Sequence, residues 1–193
     1  QSKKDVKQQT EKVSKPQAKI LANGSAKVDD MHAYQVYGET FDLKNTLTTV
    51  NKDLLSEIPE NSVLTPHPKE FERLFGEFAD SFQRLEAARN AAEQYKIYIV
   101  LKDHRTQIIT PERKVYYNIT GNSGMAKGGS GDVLTGIITS LKAQKYGSEQ
   151  AALLGVWMHG KAGDFATEKY SKESVLPSDL INELGNVFKL LND

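Results

Sequence analysis

The amino-acid sequence predicts an α/β layered fold. Short apolar runs rich in β-branched residues, such as Ile97–Leu101, alternate along the chain with longer amphipathic stretches. Strands that alternate with helices in this way are typical of a sheet covered by helices. At 193 residues the chain is long enough to bury the core that such a fold needs.

The predicted elements begin near residue 62. Ser62–Thr65 is expected to form a short buried strand, and a short helix should follow with the apolar residues of Phe71–Phe75 on one side. Asp80 is expected to cap a longer helix, in which apolar residues recur every three or four positions as far as Tyr95. Ile97–Leu101 has the composition of a strand that is covered on both faces.

A predicted hairpin and three helices complete the chain. The hairpin joins Thr106–Thr110 to Lys114–Ile119 through a turn at a Pro-Glu pair. The first helix is expected to run from residue 132 to about residue 144. The second, Ala151–Thr167, is apolar round much of its circumference and should be buried. The third is expected at Pro177–Leu191, with proline where a helix start tolerates it.

The amino-terminal region has a different character. Residues 1–30 are polar and rich in lysine and show no sustained periodicity, which predicts a disordered or loosely attached segment. Residues 31–50 contain scattered apolar residues and receive no assignment.

Bulk properties narrow the class of protein. The chain has 25 basic and 25 acidic residues, so no net charge draws it to nucleic acid or to an anionic membrane. It has no cysteine, which rules out disulfides and cysteine-ligated metals. We find neither a signal peptide nor an apolar run of the roughly 20 residues that a spanning helix needs. A cytoplasmic protein without nucleic-acid or membrane partners is therefore expected.

The glycine-rich stretch before residue 132 carries the most chemical information. Four glycines lie within the eight residues Gly124–Gly131, so the backbone can approach a ligand closely and adopt positive φ angles. The helix expected from Asp132 directs its free N–H groups and the positive end of its dipole toward this loop, an arrangement that binds phosphate. The Asp132 carboxylate would lie close enough to take a proton from a substrate hydroxyl.

The residues alone leave a second interpretation open. The stretch matches neither the GxxxxGK[ST] phosphate loop nor the dinucleotide GxGxxG pattern. It is equally compatible with a flexible glycine loop followed by an ordinary acidic residue at a helix start.

Four blocks of sequence in a fixed order favour the first interpretation. They are Leu64–Phe71 (LTPHPKEF), Val100–Thr106 (VLKDHRT), Gly121–Gly136 (GNSGMAKGGSGDVLTG) and Ala151–Asp164. The GSGD within the third block is similar to the GxGD anion-hole motif of the ribokinase-like superfamily. Together the blocks resemble one family of that superfamily, the ADP- or ATP-dependent NAD(P)H-hydrate dehydratases.

The resemblance covers residues 51–193 and implies a ribokinase-like layered fold with a central, mostly parallel sheet. Residues 51–193 correspond to the carboxy-terminal half of such a domain, so the fold is expected to be truncated or incompletely represented at its amino-terminal side. Residues 1–50 do not resemble the family and form an unassigned segment. Because a parallel sheet buries both faces, we expect one of two arrangements. Residues 1–50 are non-adjacent pieces numbered as continuous, or residues 31–50 or a neighbouring subunit replace the missing strands.

The resemblance also implies an activity. Enzymes of this family use ADP or ATP to return the S-epimer of hydrated NADH or NADPH to the intact cofactor. The ring hydroxyl is phosphorylated and the phosphate is then lost. Mg²⁺ is expected, since phosphoryl transfer commonly needs a cation, and so is a homo-oligomer. The alternatives are another ribokinase-like small-molecule kinase and a truncated remnant that binds nucleotide without catalysis.

Individual residues receive roles from the same resemblance. Asp132 is implied as the catalytic base and as a substrate contact, and His67 as a second substrate contact. An anion hole that stabilises the transferring phosphoryl group is implied at Gly129, Ser130 and Gly131. A nucleotide site is implied at Lys102, Asp103, His104, Arg105, Thr106 and Gly131.

Position 103 departs from the family, which usually has glycine there. A carboxylate at this place is expected either to weaken nucleotide binding or to point away. His159 and Asp164 lie five residues apart in a predicted helix and lack the i, i+4 spacing of a helical metal pair. They are interpreted as helix-packing and surface residues, and no metal-ligating residue is assigned.

Overall fold

A computed structural model of the chain describes residues 18–20, 26–28, 55–56 and 58–192. The chain forms two compact units, Gln1–Ser62 and Val63–Asp193. The predictions for residues 31–50, and for chain breaks or replaced strands in the amino-terminal region, lie outside the described residues. None of the helices in the described ranges combines the length and apolar character of a membrane-spanning segment.

Two short strands pair within the first unit. β1 (Ala18–Ile20) runs antiparallel to β2 (Ala26–Val28), with Lys19 opposite Lys27. This pair lies within residues 1–30, which are predicted to be disordered or loosely attached. Strands of three residues are too short for a period-two pattern to stand out.

A four-stranded mixed sheet lies at the centre of the second unit. Its strands, in spatial order, are β3 (Val63–Leu64), β4 (Tyr98–Leu101), β5 (Gln107–Ile109) and β6 (Val115–Tyr117). β3 and β4 are parallel, whereas β4 and β5, and β5 and β6, are antiparallel. In the described residues the sheet is therefore mixed rather than mostly parallel, because the predicted hairpin supplies two of its strands.

Two helices connect β3 to β4. They are α1 (Pro68–Phe75) and α2 (Ser81–Tyr95). The predicted cap of α2 is confirmed, because the Asp80 carboxylate accepts the N–H of Gln83 at 2.8 Å. Neighbouring parallel strands need a crossover connection, and this helix pair provides it. All four residues of β4 are buried, as predicted for a strand that is covered on both faces.

Three helices follow the hairpin. They are α3 (Ser130–Ala143), α4 (Ser148–Tyr170) and α5 (Pro177–Asn192). Buried side chains of the three helices pack in one cluster with Val100 and Ile108 of the sheet. Helix α4 extends beyond its predicted bounds at both ends, and its predicted burial is confirmed by a row of fully buried alanines.

The start of α3 differs from the prediction. Gly129, with a φ of 94°, precedes the helix, and Ser130 and Gly131 belong to its first turn. Asp132 therefore lies within the first turn rather than at the helix start. The glycines hide this boundary from the sequence, because glycine has a low helix propensity and is assigned to the loop.

Candidate functional site

Two parallel strand ends meet the start of α3 at one edge of the sheet. Beyond β3, the Thr65 hydroxyl lies 3.2 Å from the Thr135 hydroxyl in α3. Beyond β4, the N–H of Lys102 donates to the carbonyl of Pro66 at 2.9 Å. The carboxyl ends of parallel strands are where open α/β sheets bind their ligands. The predicted site residues therefore lie at the expected edge.

The loop before α3 leaves particular backbone N–H groups available to an anion. The N–H of Ser130 donates to the Lys127 carbonyl at 3.2 Å, and that of Asp132 donates to the Gly129 carbonyl at 3.1 Å. In the part of the chain that the structure describes, the N–H groups of Gly129 and Gly131 have no acceptor. Two of the three residues implied as an anion hole thus present an available donor, whereas the Ser130 N–H already has an acceptor.

Lys102 reaches this loop from the end of β4. Its Nζ lies 3.1 Å from the position that a Cβ would take at Gly131, so the ammonium occupies the space left by the missing side chain. The same Nζ lies 3.7 Å from Oε2 of the buried Glu70. A positive charge beside available N–H groups favours the binding of phosphate. The structure therefore brings together two residues that the resemblance assigns to the nucleotide site.

His67 is positioned by Glu70 at the start of α1. The N–H of Glu70 donates to His67 Nδ1 at 3.2 Å, and the N–H of His67 donates to the Glu70 carboxylate at 2.8 Å. This reciprocal arrangement is a capping box. The His67 side chain remains 45% exposed and accessible to a substrate. The sequence analysis does not identify Glu70 as the partner of His67, although an acidic residue three positions after a helix cap is the sequence signal of a capping box.

Asp132 is exposed in the first turn of α3. A carboxylate at this end of a helix is stabilised by the helix dipole. Asp132 also forms one end of an apolar groove of about 760 Å³ between α3, α4 and α5. Neither the anion loop nor Lys102 nor His67 lines this groove, so it is separate from the candidate phosphate site.

The implied nucleotide loop follows β4. Arg84 of α2 donates to the Asp103 carboxylate at 2.7 Å, and the other carboxylate oxygen accepts the N–H of His104 at 2.7 Å. Arg105 donates to the Ile119 carbonyl at 3.3 Å. The unusual acid at position 103 is therefore paired with a cation of α2.

His159 of α4 lies beside both Lys102 and the anion loop. Burial lowers the pKa of its imidazole from 6.5 to about 4, the adjacent Ser130 backbone raises the pKa, and the charge of Lys102 lowers it further. Within the described residues, the buried Nε2 has no hydrogen-bond partner. His159, interpreted from the sequence as a helix-packing or surface residue, packs against this loop, and residue spacing carries no signal of that contact.

Comparison with known proteins identifies the family. The NAD(P)H-hydrate dehydratase family model matches residues 44–186, which is most of the chain. The chain belongs to the NAD(P)H-hydrate dehydratase family. Among members of this family, the bifunctional NAD(P)H-hydrate repair enzyme of Moorella thermoacetica is 44% identical over 133 residues, covering 68% of this chain and 25% of that protein.

Relatives from Bacillus subtilis support the same family and fold. The ADP-dependent (S)-NAD(P)H-hydrate dehydratase of B. subtilis is 37% identical over 129 residues, covering 66% of this chain and 47% of that protein. The B. subtilis ADP/ATP-dependent enzyme co-crystallised with ATP/Mg²⁺ superposes with a TM-score of 0.62 over 67% of this chain and 47% of that one, at 37% identity.

A ribokinase-like superfamily protein from E. faecalis gives a TM-score of 0.59 at 32% identity, over 72% of this chain and 49% of that one. The predicted ribokinase-like fold is thereby confirmed. The chain spans about a quarter to a half of the length of these relatives.

Proposed function

We propose that this chain carries the nucleotide-dependent dehydration of the S-epimer of hydrated NADH or NADPH, using ADP or ATP as co-substrate. One observation supports the proposal most directly. The available N–H groups of Gly129 and Gly131 and the ammonium of Lys102 converge at the start of α3. Asp132 lies in the same turn, so a transferring phosphoryl group and a general base would be neighbours.

The proposed reaction assigns one task to each group. Asp132 takes the proton of the substrate ring hydroxyl while that oxygen attacks the terminal phosphorus of the nucleotide. The loop N–H groups stabilise the charge that develops on the transferring phosphoryl oxygens. Loss of inorganic phosphate, together with a proton from the neighbouring ring carbon, restores the ring double bond. His67 contacts the substrate, and Lys102–Thr106 contact the nucleotide.

We propose that an Mg²⁺ ion arrives with the nucleotide rather than being held by the described residues alone. Among them, no group of three or more His, Cys, Asp or Glu side chains is arranged to hold a metal ion. Mg²⁺ is commonly bound by one or two carboxylates together with substrate phosphates. When bound, the ion would offset charge on the nucleotide phosphates. The B. subtilis relative was co-crystallised with ATP/Mg²⁺, which is consistent with this arrangement.

The test is a direct assay of the chain. Hydrated NADH is incubated with the protein and ADP or ATP in the presence of Mg²⁺, and the absorbance of regenerated NADH is followed. Turnover with hydrated NADH, but none with a vitamin-precursor alcohol, supports the proposal over a small-molecule kinase. Nucleotide binding without turnover of either compound would favour the non-catalytic alternative.

The proposal includes a cytoplasmic location and a homo-oligomeric assembly. Size-exclusion chromatography with light scattering tests the assembly state.

A further inference from the structure

The glycine loop starts on the surface of α4, where two polar side chains hold it. The N–H of Gly121 donates to Asp164 Oδ2 at 3.1 Å, and Asn122 Nδ2 donates to Asp164 Oδ1 at 3.0 Å. Asn122 Oδ1 accepts the N–H of Gly124 at 3.0 Å. We call this set of contacts the Asn122–Asp164 clamp. It gives Asp164, interpreted from the sequence as a helix-packing or surface residue, a specific contact with the loop.

The clamp requires an amide at position 122 and an acceptor at position 164. The carbonyl of Gly163 lies 3.2 Å from Asn122 Nδ2, and the hydroxyl of Thr167 lies 3.0 Å from it. A carboxylate at 122 would have no N–H to donate and would face the Asp164 carboxylate. An amide at 164 would have one acceptor oxygen and would turn an N–H group toward a donor.

The backbone of α4 brings the start of the loop unusually close. A Cβ added to Gly160 would lie 2.8 Å from the Thr120 carbonyl carbon, and one added to Gly163 would lie 2.6 Å from Met125 Cγ. Such distances are shorter than those that real Cβ atoms show. Position 160 therefore requires glycine, because its neighbour is backbone, whereas a side chain at 163 would force the Met125 side chain to move. The close packing leaves the start of the loop little room to shift.

Consecutive hydrogen-bonded turns connect the clamp to the anion donors. These backbone bonds are 2.8–3.2 Å long and run from Met125 to Asn122, Lys127 to Met125, Ser130 to Lys127, and Asp132 to Gly129. The Lys127 ammonium also donates to the Glu173 and Val175 carbonyls, both at 2.6 Å. Each turn fixes the next, so a displacement at residue 122 moves the N–H groups that follow.

We propose that Asn122 and Asp164 are positioning residues for the anion hole. They touch neither the nucleotide nor the substrate, and act by setting where the N–H groups of Gly129 and Gly131 lie. The inference rests on the proposed function, since it takes the anion to be a nucleotide phosphate. Preorganised donors need not rearrange when charge develops, so a displaced loop weakens both phosphate binding and turnover.

The test compares two single variants with their exchange. Asp164→Asn and Asn122→Asp each break the clamp, whereas the double variant lets Asn at 164 donate to Asp at 122 and still accept the Gly121 N–H. Glu168→Gln, an exposed position one turn further along α4, removes the same charge as Asp164→Asn and is the matched control. The dissociation constant of ATP with Mg²⁺, kcat and the unfolding temperature are measured for each protein.

The expected result is a rise of about tenfold in the ATP dissociation constant for each single variant, at a temperature where the protein is fully folded. The exchange should recover part of this loss, because it restores the hydrogen bond between positions 122 and 164 but not the one to the Gly163 carbonyl. Glu168→Gln should stay within about twofold of the wild type. Unchanged affinity in both folded single variants overturns the proposal, even when their unfolding temperatures fall. Absence of ATP binding by the wild-type chain overturns it together with the anion site. Binding without turnover of hydrated NADH contradicts the proposed function alone.

Discussion

The buried imidazole of His159 makes a quantitative prediction about acid stability. Its pKa is 6.5 in an ordinary environment and about 4 in the folded protein, because burial disfavours the charged form. Below about pH 6.5 the unfolded chain binds a proton at this residue that the folded protein does not bind. The free energy of unfolding therefore falls as the pH drops from about 6.5 toward about 4.

The size of the effect follows from the shift. Each unit of pKa difference corresponds to about 1.4 kcal/mol, so His159 can remove up to about 3 kcal/mol of stability across this interval. The positive charge of Lys102 acts in the same direction as burial, and the Ser130 backbone opposes both. Above about pH 6.5 both states hold a neutral imidazole, and no loss is expected.

Urea denaturation at a series of pH values between about 7 and about 4 measures the effect. The substitution His159→Asn removes the titrating group, and His104→Asn removes an exposed histidine as the control. The variant at 159 should lose less stability than the wild type as the pH falls, by up to about 3 kcal/mol, whereas the control should follow the wild type. Equal pH dependence in all three proteins would refute the argument that His159 is buried in its neutral form.

Three further predictions concern the site and the packing beneath it. Asp132→Asn should lower turnover of hydrated NADH by about a hundredfold or more while ATP affinity is retained. Gly160→Ala should lower the free energy of unfolding by about 1–3 kcal/mol or more, because the new Cβ would clash with the backbone of Thr120. Gly185→Ala, with open space around it, should stabilise α5 by up to about 1 kcal/mol. Arg84→Ala should weaken ATP binding a few-fold by releasing the Asp103 carboxylate, and a second change, Asp103→Gly, should restore binding.

Each prediction has an outcome that contradicts it. Near-normal turnover of Asp132→Asn would remove this residue from the role of base. Similar urea midpoints for the alanine variants at 160 and 185 would show that the contact of α4 with Thr120 tolerates a methyl group. An unchanged ATP dissociation constant in Arg84→Ala, measured by calorimetry, would show that the charge at position 103 does not affect nucleotide binding.

Local patterns in the sequence predict most of the described fold. Asp80 as a helix cap, the buried strand around Val100 and the hairpin are all short-range features, and the structure contains each of them. The predicted start of α3 is two residues too late, because glycines at 129 and 131 favour a loop assignment. Gly131 nevertheless belongs to the helix. The pairing of Ala18–Ile20 was missed because three residues are too few to show alternation.

The same distinction between short-range and long-range features applies to the candidate site. The motif around Asp132 is continuous in sequence and could be recognised directly. His159 and Asp164 act through contacts between segments that are distant in sequence, as does Glu70 in its contact with Lys102, and only the fold produces these contacts. The contact of Glu70 with His67 is local and has a sequence signal. Nothing in the spacing of His159 and Asp164 shows that both face one loop.

Glu70 has a consequence for the order in which ligands bind. One buried carboxylate serves both His67, at the implied substrate contact, and Lys102, at the implied nucleotide contact. A nucleotide phosphate that attracts Lys102 also alters the electrostatic environment of the carboxylate that orients His67. The binding free energies of the two ligands are therefore expected to be coupled through Glu70. Thermodynamic linkage then requires that each ligand change the affinity of the other by the same factor. We expect hydrated NADH to bind with a different affinity when a non-hydrolysable ATP analogue is present, and this difference should disappear in Glu70→Gln.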